Sequence, residues 1–172
     1  MDKKFVSEKF GGARIKKIAV LKEIARRFNE AGVVWALGAS MLLYFKGVAS
    51  DFHDIDLMVS NEDANAARGI LLEMGELQPP NPNAKYKTSV FLEFVIDGVD
   101  VDAMAGFAIV SGDATVDCAL KREQIAEIID LDGVQVPAQS VSLWCKYYQL
   151  MGRADKVEMI RNALSKTGKT GV

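Results

Sequence analysis

Histidine occurs once in the 172 residues, at His53, and cysteine only twice, at Cys118 and Cys145. A structural zinc site needs a cluster of such ligands, and a disulfide framework needs cysteines in repeated spacings, so neither is encoded. No apolar run approaches the ~20 residues of a membrane span. The opening MDKKFVSEKF has no apolar signal segment either, so the expectation is a cytoplasmic chain without membrane partners. Charge is nearly balanced, with 21 basic and 23 acidic residues and a formal net charge of -2. That balance gives no general electrostatic case for binding nucleic acid and leaves open only a local basic patch. Four prolines are present, and three of them fall within QPPNPNAKYK (78–87), which reads as a loop where it could overhang a site. What remains is 49% hydrophobic, enough for one well-packed domain.

Met1–Gly12 shows no clear period and reads as a loose leader ending at Gly11-Gly12. From Ala13 to Ala31, Ile15, Ile18, Leu21, Ile24, Ala25 and Phe28 recur at helical spacing opposite a basic face. Ser60 reads as the N-cap of a helix over Asn61–Met74, with Glu62 and Asp63 in its first turn and Gly75 as its stop. Strands are expected over Thr88–Ile96 and Val99–Met104, joined by Asp97-Gly98. A second hairpin, Gln124–Val136, would turn at Asp132-Gly133, whereas Phe107–Ala119 shows only a turn signal at Gly112-Asp113. Two helices follow, capped at Ser140 or Ser142 and ending at Met151, then spanning Ala154–Leu164. The division is a leader (1–12), a core (13–137) and a C-terminal helical segment packed on it (138–172). The class is α/β (α+β), a mixed sheet flanked by helices with a C-terminal helical pair.

The stretch WALGASMLLYFKGVASDFHDIDLMVS holds the chemistry. It reads as a strand (Val33–Leu37), a Gly38-Ala39-Ser40 turn, a short helix (Met41–Phe45) and a strand (Asp54–Val59). On that strand Asp54 and Asp56 project together while Ile55 and Leu57 face the core. Two carboxylates side by side on an apolar strand repel unless a cation or proton lies between them, and a divalent metal meets that need. The small-residue turn opens a helix whose free N–H groups suit a phosphate. On the later strand Asp100 and Asp102 share a face, and either could supply a third carboxylate. By the same alternation His53 points away from Asp54 and Asp56 and reads as a packed or hydrogen-bonded residue. Trp35 and Trp144 read as core aromatics, and Cys145 as a buried thiol.

GAS followed by HDIDLMV, with a later single acid on a strand, resembles the nucleotidyltransferase superfamily of DNA polymerase β type. Its small-molecule and toxin-like minimal branches look most similar, over about Ala13 to Leu164. The resemblance implies that Gly38, Ala39 and Ser40 hold the triphosphate. It implies that Asp54, Asp56 and Asp102 bind two Mg²⁺ ions, with Mn²⁺ as a substitute, and that Asp102 helps activate the acceptor. The run KYYQLMGRADKVEMI is similar to the Lys-then-Arg-x-x-Asp helices of toxin-like members, which implies that Lys146 and Arg153 approach the nucleotide. This chain has Ala39 where relatives usually show Gly or Ser. It has Ala49–His53 where many carry an Arg and a Thr ahead of the acid pair.

The implied activity is Mg²⁺-dependent transfer of a nucleoside monophosphate from an NTP to a hydroxyl on a small molecule, protein or RNA end, by a protein that could pair as a homodimer. Two other readings use the same residues. One is a degenerate nucleotidyltransferase-fold binding module, motivated by the absent Arg and Thr. The other is a DxD glycosyltransferase, disfavoured by the short chain.

Overall fold

The computed structural model describes residues 3–81 and 87–167. The central part of the Gln78–Lys87 loop and the end of the polar tail lie outside them. Helix α1 spans Lys3–Glu30. It begins ten residues before the expected start at Ala13, and Gly11-Gly12 lies within it. Glycine inside a helix costs only about 1 kcal/mol, so the pair is a weak stop when both flanks are good helix formers. Strand β1 (Trp35–Gly38) leads through α2 (Ala39–Phe45) to β2 (Ile55–Val59). A 3₁₀ turn at Asn61–Asp63 precedes α3 (Ala64–Met74). Ser60 is the expected cap, its Oγ accepting from the Asp63 N–H at 3.3 Å.

The remaining strands are β3 (Glu76–Leu77), β4 (Val90–Ile96), β5 (Val99–Ala105), β6 (Ala108–Ser111), β7 (Ala114–Asp117), β8 (Glu127–Leu131) and β9 (Val134–Ala138). Helices α4 (Val141–Leu150) and α5 (Ala154–Lys166) follow. Ser140 is the α4 cap, accepting from the Leu143 N–H at 3.1 Å. Asp97-Gly98 and Asp132-Gly133 turn their hairpins with positive φ at both positions, as type I′ turns require. The stretch Phe107–Ala119, unassigned from sequence beyond its turn, contains the separate β6–β7 hairpin.

Seven strands form one mixed sheet in the order β3-β4-β5-β2-β1-β9-β8. Its two faces divide the labour. Trp35, Leu37, Ile55, Leu57, Val101, Ala103 and Phe94 share one face and are fully or nearly fully buried. Helix α1 packs there, its Phe28 ring meeting Trp35 edge-on at 5.6 Å. The opposite face carries Gly38, Asp56 and Asp102 and is covered in part by α4. Trp144, Tyr147 and Phe107 form an aromatic cluster above it, with Phe107 stacked on Trp144 at 6.3 Å. No helix among the described residues is long and apolar enough to cross a membrane.

Candidate functional site

Parallel pairing of β2 with β5 sets Asp56 directly opposite Asp102, and antiparallel pairing of β1 with β2 sets Gly38 opposite Asp56. Asp54 lies one residue ahead of β2. All three acids line one cavity of about 820 Å³, together with Ala39, Ser40 and Arg153. Asp102, not Asp100, is the third acid there, since Asp100 is exposed and does not line the cavity. Lys146 does not join the group either. Trp144, Cys145, Tyr147 and Tyr148 take the inward face of α4, which leaves Lys146 exposed on the outward one.

His53 differs from the sequence expectation: it is exposed and lines the same cavity. The alternation rule fails because β2 begins only at Ile55, so His53 is not a strand residue. Its backbone N–H donates to Ser40 Oγ at 3.3 Å, which ties the start of α2 to the segment delivering Asp54. Lys156 and Asp155, from the start of α5, also line the cavity and carried no sequence signal of their own. Arg153 pairs with Asp155 at 3.2 Å, so one side of the guanidinium is already oriented.

The turn into α2 is held by contact and by strain. Gly38 lies under the Trp144 ring, and a Cβ there would come within 2.4 Å of it. Ala39 adopts φ 53°, the left-handed region that L-residues enter at a cost of about 1–2 kcal/mol. Ala39→Gly is therefore expected to stabilise the protein by about 0.5–1 kcal/mol, the relief of strain being partly offset by glycine's extra freedom when unfolded. Chemical denaturation of the two forms measures it, and a loss of stability would contradict the strain.

The hook before Asp54 is clamped from α1. Lys17 Nζ donates to the Phe52 carbonyl at 3.4 Å and lies over the Phe52 ring, while Arg14 reaches the Ser50 carbonyl and the Asp51 carboxylate, each at 3.5 Å. Asp51 also accepts from the Phe52 N–H at 2.8 Å, and this bond with the Arg14 charge holds its carboxyl below the usual range. Its charge is thus turned toward α1 and away from the cavity acids.

The cavity acids are pushed the other way. Burial, then the charge of Asp100, raises Asp54, with His53 and Lys17 opposing. Asp56 keeps a partial opening but lies deep in the molecule. Burial raises it well above the ordinary carboxylate value, and Asp102 and Asp54 add repulsion. Asp102 is pushed up to about 7, by burial first and then by Asp54, Glu93 and Asp100. Glu93 faces Asp102 across the β4–β5 pair.

The raised Asp102 gives a pH dependence of stability. Between about pH 4 and 7 the metal-free native state binds a proton at Asp102 that the unfolded chain has released, so stability falls as pH rises. Asp102→Asn removes that loss. Discounted for partial solvent exposure, the gain should be about 1–2 kcal/mol at pH 8, or roughly 2–8 °C in Tm, shrinking to nothing near pH 4. Thermal melts in EDTA across this range would show a pH-independent difference if Asp102 were not the source.

Among the described residues no group of three or more His, Cys, Asp and Glu side chains is gathered so as to hold a metal ion. The donor set nonetheless fits Mg²⁺, which takes one or two carboxylates, keeps its waters and completes its shell with substrate phosphate oxygens. Asp54, Asp56 and Asp102 are hard oxygen donors whose mutual repulsion a divalent cation would relieve.

Neither a protein-family model nor a curated protein sequence matches the chain. Solved structures do. TM1012 from Thermotoga maritima, a candidate nucleotidyltransferase, superposes with a TM-score of 0.70 at 24% identity, covering 89% of this chain and 95% of that one. ANT(2″)-Ia, solved with adenylyl-2″-tobramycin, superposes at 0.62 and 14% identity, over 88% and 90% of the two chains. The chain has the nucleotidyltransferase fold. In this nucleotidyltransferase-fold protein Gly38, Asp56 and Asp102 stand on the adjoining strands β1, β2 and β5, with Asp54 just ahead of β2 and Ala39 and Ser40 at the start of α2.

Proposed function

We propose that this protein is a Mg²⁺-dependent nucleotidyltransferase that moves a nucleoside monophosphate from an NTP to a hydroxyl acceptor. The observation that carries the reading is the pairing of Asp56 with Asp102 on adjacent parallel strands, with Asp54 beside them, in one cavity. Asp54, Asp56 and Asp102 would hold the metal. When bound, it would neutralise charge on the triphosphate and lower the pKa of the attacking hydroxyl.

The chain's own groups position the reactants. Ser40, already oriented by the His53 N–H, and the Gly38–Ser40 turn suit the phosphates, as do Arg153 and Lys156. Asp102 would take the acceptor's proton. The acceptor oxygen bonds to the α-phosphorus as the bond from that phosphorus to the pyrophosphate oxygen breaks, and pyrophosphate leaves with its electron pair. Arg14 pairs with Asp51 at 3.5 Å and so offsets the one negative charge in the Ala49–His53 segment. ANT(2″)-Ia, a nucleotidyltransferase captured with an adenylylated product, is consistent with this reading.

Calorimetric titration of each NTP, with Mg²⁺ and with EDTA, tests it. Metal-dependent binding of at least one nucleotide is expected, followed by pyrophosphate release when acceptors are screened. Binding that ignores EDTA, or no binding at all, would overturn the assignment. With nucleotide-sugars offered in place of NTPs, release of nucleoside diphosphate would point instead to sugar transfer.

A further inference from the structure

The cavity is large for one ligand, near the top of the ~300–1,000 Å³ range of small-molecule sites. Its two ends differ in chemistry. Ser40, His53 and Asp54 lie at the entry to β2. The other end is fixed by strand register. Met104 follows Asp102 by two residues on β5, roughly 7 Å along the strand on the same face. Phe91 stands directly opposite Met104 on β4, just as Glu93 stands opposite Asp102. Phe91 and Met104 both line the cavity, and Phe91 is 38% exposed. Pro80 and Thr88 also line it.

The geometry of the transfer decides which reactant meets this apolar shelf. In phosphoryl transfer the attacking and leaving oxygens lie roughly in line through phosphorus. With pyrophosphate drawn toward Ser40 and the β2 entry, the acceptor oxygen arrives from the Asp102 side. Its body then extends over Met104 and Phe91. Among the described cavity residues the basic groups are His53, Arg153 and Lys156, none of them on β4 or β5. The charged residues on those strands, Glu93, Asp100 and Asp102, are all acids. A phosphate-rich acceptor would therefore meet repulsion where it must bind, and it would leave the Phe91 ring without a partner.

Resting on the nucleotidyltransferase reading, we infer that the acceptor is a small, phosphate-free alcohol with an apolar face, seated on Phe91 and Met104. This separates the protein from enzymes that extend RNA ends. It also makes Phe91 a specificity-determining residue.

The test runs in two steps. Calorimetry first establishes Mg²⁺–NTP binding, and failure there removes the enzyme reading and this inference together. The nucleotide-bound protein is then offered 2-phenylethanol, tobramycin and a short RNA with a free 3′-hydroxyl, with binding read by saturation-transfer NMR and turnover by pyrophosphate release. The expected result is preference for 2-phenylethanol. In Phe91→Ala its affinity should drop about tenfold relative to nucleotide affinity, and in Phe91→Leu it should largely return. Preference for the RNA or for tobramycin, or an unchanged relative affinity in Phe91→Ala, would overturn the inference while leaving nucleotide transfer standing.

Discussion

Replacing Asp54 and Asp56 together by Asn is expected to abolish metal-dependent nucleotide binding and to cut transfer by at least about a thousandfold. The size follows from the chemistry. Stabilising charge on a reacting phosphate by a correctly held metal contributes several kcal/mol, and each 1.36 kcal/mol is a factor of ten in rate. The same double variant should be more stable than wild type without metal. Both acids are raised by burial, and Asp56 also feels repulsion from Asp102 and Asp54, so the amides remove an unfavourable charge arrangement. Activity and stability therefore move in opposite directions, which an unfolded variant cannot imitate. Circular dichroism melts in EDTA and pyrophosphate assays in Mg²⁺ measure the two halves. Retained transfer in the double variant would remove these acids from the mechanism.

The second large effect is steric. Gly38→Ala should destabilise the protein by about 2–3 kcal/mol, lowering Tm by roughly 5–10 °C. Its new Cβ would sit 2.4–2.8 Å from three atoms of the Trp144 ring. The ring has little room to yield. It is 2% exposed, donates from Nε1 to Gln139 Oε1 at 2.9 Å, stacks on Phe107 and meets Tyr147 at 5.2 Å. Either α4 lifts from the sheet or the turn moves, and both disturb the cavity wall that Ala39, Ser40 and Trp144 share. Adding Trp144→Phe, which shrinks the obstructing ring, should recover part of the loss beyond additivity. Additive losses in the double variant would show that the glycine is needed for another reason. The requirement at Gly38 is one of space: its φ of −131° is open to any residue.

Local signals in the sequence were sufficient for most elements. Ser60 and Ser140 cap the helices that follow them, Asp97-Gly98 and Asp132-Gly133 turn their hairpins, and the Ile18-to-Phe28 periodicity gives the buried stripe of α1. Each depends on neighbours within a few residues, so the local chain encodes it. The carboxylate pair and its turn were legible for the same reason, being contiguous in one short unit. The α1 start was missed because a glycine pair weakens a helix without ending it. Strand alternation does not extend to His53, because β2 begins only at Ile55.

The rest was decided by tertiary structure. Asp102 rather than Asp100 stands opposite Asp56 because β5 pairs in parallel with β2 in one register; a two-residue slip would put Asp100 there instead, and a one-residue slip would turn both acids to the opposite face. Arg14 and Lys17 clamp the hook before Asp54 from a helix more than thirty residues away. Lys146 and Arg153, alike in sequence terms, part because α4 turns one outward while the α4–α5 corner brings the other to the cavity. Phe91 and Met104 meet beside Asp102 only through the β4–β5 register. Sequence determined the elements and the chemical groups they carry, because neighbouring residues suffice to form them. Packing between distant segments chose which of those groups face one another, because burying one face of the sheet fixes every register and so decides what the other face presents.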